Sequence, residues 1–431
     1  MDSKPEKIGV KANKKLPMCP YGVKCYRKNP THFEEYDHPN KKQTKTLSPL
    51  VPSSSKMTSK TSSDTTPFKN KRKIDETDSN SLKKFSKSDD DNSFMNQKET
   101  NQIDSKITEP KLSSVEFNNL IQKIFLVKMP NDFFQFWEFC KKISPNNPQN
   151  ALVDSLGFKL VGPFDVLSGV VNEENANDDD KILAHWRFYY DPPEFQTFAV
   201  VEPDSLPSIK LEKCYHLGYF RDEPDDNQPV VVSNDPEKSC IISGVADNIF
   251  AAIYIELVKS KSMGNSNDRL DYLEEQLKSF AASFKIDIKA KDKLNKRKKK
   301  VNAPTFNKFG IVVEVVKDVG YRELPQSDKN LKSTLDKIAS LDDDEERRKS
   351  KLMSDIHQTM NLINYANDEK DFGMALEFGI DLFCYGHPFF HRAAKHLLCQ
   401  AYGLLNRNDF GRIINQHLDN RRQGYELSMV E

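Results

Sequence analysis

Four residues with metal-binding side chains lie within one short N-terminal segment: Cys19, Cys25, His32 and His38. Two thiolates and two imidazoles make a complete tetrahedral ligand set for zinc, and a segment this short cannot fold around an apolar core without a metal. The spacing leaves no room for the recognition helix of a DNA-reading finger, whose second Cys and first His are about twelve residues apart. The sequence therefore predicts one Zn²⁺ in a finger over residues 17–40, and direct DNA binding is not expected.

Aromatic and basic residues lie between these ligands. The pattern Cys-x-aromatic-Gly-x-x-Cys-x-basic-basic, followed by His-x-x-x-aromatic-x-His, resembles the poly(ADP-ribose)-binding zinc finger. That polymer offers adenine faces and pyrophosphates, so the resemblance implies stacking on Tyr21 and Tyr26 and phosphate pairing by Arg27. The alternative, in which Tyr21 and Tyr36 only pack the metal site, stays open.

The composition limits the possible protein classes. The chain has 431 residues, of which 37% are hydrophobic and 30% charged, and its 64 basic and 64 acidic residues cancel. This polar composition predicts a disordered fraction, and the zero net charge says nothing about partners. The N-terminus lacks the apolar core of a secretory signal, and the longest apolar stretch, 249–255, is too short to cross a bilayer. We expect a soluble intracellular protein without a membrane partner.

Residues 41–113 are rich in Ser, Thr, Lys, Asp and Asn and carry almost no periodic apolar signal, which predicts a disordered linker. Within it, the basic residues of 69–73 and 83–84 flank an acidic spacer, as in a two-part nuclear import signal. Residues 296–300 form a second basic cluster. Each run could equally be a solvated charged face, and contact with nucleic acid is a further alternative because clustered Lys and Arg release phosphate counterions. Together with the finger, they favour a nuclear location.

From Ser114 onward the apolar pattern predicts an α+β domain over residues 114–290. Predicted helices cover 115–127, 131–140, 248–260 and 267–284. Predicted strands cover 158–161, 185–190, 195–201, 215–220, 230–232 and 240–242. His185 and Trp186 are expected to be structural residues within a strand. Five further cysteines in apolar surroundings are interpreted as small core residues: Cys140, Cys214, Cys240, Cys384 and Cys399.

The remainder, residues 301–431, is predicted to be a mainly helical domain after a basic connector over 291–300. One strand is predicted at 310–316. Helices are predicted at 331–341, 344–365, 373–384, 389–405 and 410–417. His387, His391 and His396 suggest a metal site, but no further Cys or acid completes a ligand set, so packing or surface roles are favoured.

About three hundred residues of this body, from Leu120 to Arg421, resemble the histone PARylation factor family. The stretches that carry the resemblance are 133–139 (FFQFWEF), 160–165 (LVGPFD), 185–197 (HWRFYYDPPEFQT), 218–222 (GYFRD), 318–325 (DVGYRELP), 366–369 (ANDE) and 381–386 (DLFCYG). The resemblance implies a factor that binds the catalytic domain of a nuclear poly(ADP-ribose) polymerase and completes its active site. Modification is then directed to serine, especially in histones, and chain elongation is limited.

The same resemblance implies the residues that do this work. Glu369 matches the catalytic position, a general base for the serine hydroxyl. Asp318, Tyr321, Arg322 and Asp368 match positions that hold the polymerase and shape the acceptor groove. NAD would be bound by the polymerase, so the chain, taken as a monomer, is not an enzyme on its own. The expected setting is chromatin at sites of DNA damage.

Read without the resemblance, these residues have simpler interpretations. The run 367–369 could supply acids to the positive end of a helix beginning near Phe372, and 318–322 could be an exposed loop with a surface ion pair. The chain could also be a non-catalytic poly(ADP-ribose) reader or scaffold. A free-standing hydrolase or transferase is disfavoured because no phosphate-binding glycine loop or Ser-His-Asp arrangement is present.

Overall fold

The computed structural model describes residues 16–19, 32, 36–38, 112–176, 180–203, 212–264, 267–341 and 346–430. The predicted linker over 41–113 lies outside these residues except at its last two positions. The basic runs at 69–73 and 83–84 lie outside as well, so the linker and the import signal stay predictions.

The centre of the body is a five-stranded antiparallel sheet in which each strand pairs with the next along the chain. The strands are β1 (Phe158–Leu160), β2 (Phe195–Val201), β3 (His216–Phe220), β4 (Val230–Asn234) and β5 (Ser243–Ala246). In the register, Phe158 lies opposite Val201 and Phe195 opposite Phe220. β2 to β4 are buried along their whole length, so both faces of the sheet are covered.

Helices cover one face of the sheet. They are α1 (Ser114–Phe125), α2 (Asn131–Ile143), α3 (Val153–Leu156), α4 (Pro163–Leu167), α5 (Ile249–Ser262) and α6 (Asp268–Ser283). Aromatic side chains of α2 pack inward: Phe133 stacks on Phe164 at 4.1 Å between ring centroids, and Phe136 meets Phe250 at 5.2 Å. Side-chain oxygens cap the N-termini of several of these helices. At the start of α5, for example, the Asn248 side chain accepts a hydrogen bond from the Ala251 amide.

The C-terminal part is helical, as predicted. After α7 (Asp292–Lys298) come α8 (Asp328–Ala339), α9 (Glu346–Asp368), α10 (Gly373–Tyr385), α11 (His391–Leu404) and α12 (Asn408–Asp419). α10 is buried almost all round. One continuous cluster of buried apolar side chains takes members from the sheet, the first helices and these C-terminal helices. The α+β class is confirmed, while the division into 114–290 and 301–431 stays a prediction.

The strand predicted at 185–190 is wrong. A 3₁₀ turn, Lys181–Ala184, is followed by irregular backbone, and Trp186 has a positive φ of 51°. The reason is a buried cation: Arg187 donates to the carbonyl oxygens of Leu183, Pro192 and Phe195. These carbonyls lie on both sides of 185–190, so the chain there wraps around one guanidinium and does not extend as a strand. His185 is nevertheless structural, with Nε2 at 2.8 Å from the Asp165 carboxylate.

The predicted strand at 310–316 is also absent, and 240–242 precedes β5 rather than forming a strand. Only isolated bridges occur there, Ile311 with Ala303 and Val316 with Val319. Side chains satisfy other backbone groups: the Val313 amide donates to Asn302, and Arg407 donates to the Val312 carbonyl. Within the described part of the chain, this segment has no neighbouring strand to pair with.

The basic connector is partly structural. Arg297 lies on α7 and is 8% exposed. Its guanidinium donates to both carboxylate oxygens of Asp222 and to the carbonyls of Phe309 and Gly310. The neighbouring lysines of 296–300 remain exposed. Arg297 thus joins α7 to the turn after β3 by an ion pair with Asp222, and the exposed lysines form a charged surface.

Burial agrees with most of the cysteine interpretation: Cys140, Cys214 and Cys384 are buried, whereas Cys240 and Cys399 are half-buried. Among the described helices, none combines the length and the apolar character needed to span a membrane.

Candidate functional site

Three of the four predicted zinc ligands converge. Cys19 Sγ lies 3.4 Å from His32 Nε2, which lies 3.1 Å from His38 Nε2, and the three ligand atoms are all within 4.8 Å of one another. Tetrahedral zinc with usual bond lengths separates two nitrogens by about 3.3 Å and sulfur from nitrogen by about 3.5 Å. The donor set and its spacing therefore fit zinc, with a fourth position left for another ligand.

Short backbone contacts hold these ligands together. The Cys19 amide donates to the Asp37 carbonyl at 2.8 Å, and the Asp37 amide donates to the Pro17 carbonyl at 2.9 Å. The Tyr36 ring lies 5.1 Å from the His32 ring, which agrees with the packing role left open for Tyr36. Four residues predicted for this finger lie outside the described part of the chain: Cys25, Tyr21, Tyr26 and Arg27.

Glu369, the predicted base, directly follows the last residue of α9. Its amide donates to the carbonyls of Tyr365 and Ala366, and Lys370 then turns the chain with a φ of 66°. A helix does begin at Gly373, as expected, but 367–369 lie at the end of the preceding helix, so the interpretation of these residues as acids at a helix N-terminus is wrong. That end carries the negative pole of the helix dipole, which disfavours a carboxylate.

Arg322 supplies the compensating charge. Its Nη2 pairs with the Glu369 carboxylate and, at 2.8 Å, with Asp371 Oδ2. Asp371 is fully buried, and its other oxygen accepts a hydrogen bond from the Gly320 amide at 2.9 Å. We call Arg322, Glu369 and Asp371 the carboxylate site. Its ion pairs are buried at Asp371 and partly exposed at Glu369. They are therefore not the surface ion pair of the simpler interpretation.

The carboxylate site is exposed on the side of Glu369. The side chain of Glu369 is 20% exposed, whereas that of Arg322 is only 10% exposed. Asp368, one residue earlier, is exposed. A guanidinium that pairs with a carboxylate fixes the orientation of its oxygens. The arrangement can therefore present an oriented carboxylate, able to accept a proton, to a group brought in by another molecule.

Tyr321 and Asp318 are placed differently from each other. The Tyr321 hydroxyl points inward and donates to Glu377 Oε2 at 3.0 Å. Burial raises the pKa of Glu377 to about 7 and also raises the pKa of Tyr321. Asp318 lies in a tight turn closed by hydrogen bonds between Val316 and Val319. Tyr321 thus has a packing role within the body.

The histidines near the start of α11 form no metal cluster; among the described residues the only candidate group is Cys19, His32 and His38. His391 Nε2 faces the guanidinium of Arg421 at 3.0 Å. Burial and this cation lower the pKa of His391. His387 accepts a hydrogen bond from the Phe389 amide. Packing and turn roles, the favoured interpretation, account for both.

Three residues of the site were not identified from the sequence: Asp371, Gly320 and Gly373. The Gly373 amide donates to the Gly320 carbonyl at 2.9 Å, and a Cβ on Gly320 would lie 2.1 Å from the Glu314 carbonyl oxygen. The available signals were weak, a third acid in 368–371 and a glycine two residues before Arg322. Neither signal identifies a site residue until it is known that the loop around Gly320 contacts the loop of 369–373.

Comparison with known proteins gives two matches in different parts of the chain. Residues 116–421 match the family described as histone PARylation factor 1, and residues 16–41 match the PBZ domain. The chain is 40% identical to histone PARylation factor 1 of Mus musculus over 74% of this chain and 90% of that protein. It is 42% identical to the protein of that name from Danio rerio over 72% of this chain and 86% of that protein.

A Homo sapiens protein named putative histone PARylation factor 1-like is 37% identical over 74% of this chain and 90% of that protein. The matched region contains the whole sheet, the helices around it and the carboxylate site, while the converging Cys and His ligands lie in the PBZ match. On these grounds the chain belongs to the histone PARylation factor 1 family and carries an N-terminal PBZ zinc finger.

Proposed function

We propose that this protein is an accessory factor of a nuclear poly(ADP-ribose) polymerase and supplies Glu369 as the general base for modification of serine. The family match supports the accessory role, since the relatives are named as factors of histone PARylation. The polymerase binds NAD, and this chain binds next to it through Asp318, Tyr321, Arg322 and Asp368. Histones are the acceptors, and elongation of the chain is limited.

The chemistry requires a base. A serine hydroxyl is almost wholly protonated at neutral pH, so its attack on the ribose carbon of NAD is slow unaided. In the proposed step the serine Oγ forms a bond to that carbon and the bond to nicotinamide breaks. The hydroxyl proton passes to the Glu369 carboxylate. A positioned base of this kind contributes roughly 10²–10⁴-fold in rate.

One observation carries the proposal: Glu369 is held by a guanidinium that is itself fixed by a buried carboxylate. Arg322 cannot swing away from Glu369 without leaving Asp371, which is 0% exposed. The carboxylate is therefore oriented before any partner arrives, and Glu369 keeps part of its surface accessible. This is the preorganisation that a base used by a second protein needs.

The test is reconstitution. Purified polymerase, NAD and a histone peptide containing serine are incubated with the wild-type chain, with Glu369→Gln, or with Glu275→Gln, an exposed control on α6. Glu369→Gln should reduce serine-linked ADP-ribose at least 100-fold while still binding the polymerase, and Glu275→Gln should match wild type. Undiminished modification with Glu369→Gln would contradict the base assignment. Turnover of NAD by the chain alone would contradict the accessory role.

We further propose that the finger binds poly(ADP-ribose) through Tyr21, Tyr26 and Arg27 and returns the factor to chromatin at damaged DNA. The PBZ match and the zinc-compatible cluster support polymer binding. The basic runs support a nuclear location. A chain lacking 69–73 and 83–84 should accumulate outside the nucleus, and unchanged location would contradict the import signal. Polymer binding together with normal serine modification by Glu369→Gln would favour the non-catalytic reader instead.

A further inference from the structure

A zinc ligand of the finger faces a carboxylate of the body. His32 Nδ1 lies 3.6 Å from Asp318 Oδ2, and these side chains are 5% and 16% exposed. The other ring nitrogen of His32, Nε2, faces Cys19 and His38. The distance to Asp318 is that of an ion pair and is longer than a direct hydrogen bond. The two ring nitrogens thus face opposite partners, the ligand cluster and the body.

This arrangement has a known chemical meaning in metal sites. When zinc binds Nε2 of a histidine, the proton stays on Nδ1, and a carboxylate facing that proton orients the ring and strengthens it as a ligand. Loss of such a partner typically weakens metal binding 10–100-fold. Asp318 is in the position of such a partner for His32, although 286 residues separate the two in the chain.

The body holds Asp318 firmly. Two hydrogen bonds between Val316 and Val319, of 2.9 and 3.0 Å, close a two-residue turn. Both central residues have positive φ, 49° at Lys317 and 66° at Asp318. Such turns normally use Asn, Asp or Gly, so a lysine there is held at a cost of about 1 kcal/mol. The turn makes Asp318 the tip of a fixed projection.

The same short segment leads to the carboxylate site. Two residues after Asp318, Gly320 donates to Asp371, and two residues later Arg322 pairs with Glu369. The finger's ligand cluster therefore meets the body at the segment that positions the proposed base. A molecule that occupies this segment competes with the finger for Asp318.

We propose that the finger docks on its own body, with Asp318 as the carboxylate partner of the zinc ligand His32, and that the polymerase displaces it. The docking itself does not depend on the function proposed above. The displacement does, because it assumes that the polymerase engages Asp318. Finger docking and polymerase binding then exclude one another, and each weakens the other by the same factor.

The test of docking measures zinc affinity of the full-length chain by competition with a chromophoric chelator. Asp318→Asn removes the charge but keeps a residue that tolerates positive φ, so the turn should survive. We expect zinc affinity to fall about 10–100-fold, while the exposed control Asp154→Asn should match wild type. Equal zinc affinity in Asp318→Asn and wild type would overturn the docking.

A second measurement uses the wild-type chain, so it stays valid even if Asp318→Asn misfolds locally. In the wild-type chain, removal of zinc by the chelator should speed hydrogen exchange at the Val316 and Val319 amides that close the turn, because the turn loses the contact of Asp318 with His32. Exchange that is unchanged on zinc removal would also overturn the docking. Exchange in α5, whose residues 249–253 are fully buried in the helical core, should stay slow in both states and reports that the body remains folded.

A third measurement separates displacement from docking and from the proposed function. Saturating polymerase catalytic domain should lower the zinc affinity of the wild-type chain to that of Asp318→Asn. If zinc affinity does not change although serine modification is normal, the displacement is wrong and the accessory function stands. If polymerase does not bind the chain at all, the proposed function fails, while the affinity loss in Asp318→Asn still supports docking.

Discussion

Replacement of the buried Asp371 by Asn is the sharpest perturbation of the carboxylate site. Asn keeps an oxygen for the Gly320 amide but loses the charge that faces Arg322 at 2.8 Å. A hydrogen bond to a charged group contributes about 1.5–3 kcal/mol. Because Arg322 retains Glu369, the larger penalty of an unpaired buried charge does not apply in full. We expect a loss of about 2 kcal/mol in the free energy of unfolding.

This loss should lower the melting temperature by about 4–8 °C, since 1 kcal/mol corresponds to about 2–4 °C in domains of 150–250 residues. The effect on function should be larger. Without Asp371, Arg322 no longer has a fixed position, and a displacement of the base by about 1 Å can cost 100-fold in rate. We expect the serine modification rate with polymerase to fall 10–100-fold in kcat. Binding should weaken less than kcat, because Asp371 itself is inaccessible to the polymerase and only the proposed contact through Arg322 is loosened.

The assays are thermal unfolding of the chain alone, polymerase binding, and the rate of histone-peptide modification at saturating factor. Asp154→Asn, at an exposed aspartate, is the control and should stay within about 0.5 kcal/mol of wild type. A stability loss without any loss of rate would show that Asp371 supports the fold and does not position Glu369. No change in either measurement would refute the ion-pair argument entirely.

Two further predictions concern Glu377 and Gly320, which lie next to the carboxylate site. Burial raises the pKa of Glu377 from 4.5 to about 7. Between these pH values the folded state binds a proton that the unfolded state has lost, so the free energy of unfolding falls as pH rises through that window. Glu377→Gln should therefore be more stable than wild type at pH 8 by up to roughly 3 kcal/mol and similar at pH 4.5; the same stability difference between variant and wild type at both pH values would contradict this. Gly320→Ala should lower the free energy of unfolding by more than about 2 kcal/mol, because φ is +132° and a Cβ would lie 2.1 Å from the Glu314 oxygen. Gly169 also has a positive φ but open space around it. As a control, Gly169→Ala should lower the free energy of unfolding by only about 1 kcal/mol, measured by chemical denaturation.

Local periodicity predicted the helices well because each long helix carries its own apolar stripe. α2, α5 and α6 begin within a residue or so of the predicted positions, and β2 has the predicted bounds. The errors fall where buried arginines or side-chain amides satisfy the backbone. Arg187 draws together the carbonyls around 185–190, and Asn302 bonds the Val313 amide. An apolar run without a neighbouring strand cannot be distinguished from a real strand by its residues alone.

The basic run at 291–300 shows the same limit. All of its lysines except Lys293 are exposed, as a charge run predicts, but Arg297 is buried against Asp222, 75 residues earlier in the chain. Nothing in the spacing of the run distinguishes that one arginine. Only the packing of α7 against the turn after β3 assigns it a structural role.

The sequence by itself determined the zinc ligand types, their spacing and the membership of two protein families, because these depend on residues close together or on long stretches of matching sequence. The tertiary structure decided what surrounds Glu369. Arg322, 47 residues earlier, and the buried Asp371 hold it at the end of α9. It also placed Asp318 against His32. Such contacts form only when distant segments pack together, since the energy that selects them comes from burial and charge pairing across the fold.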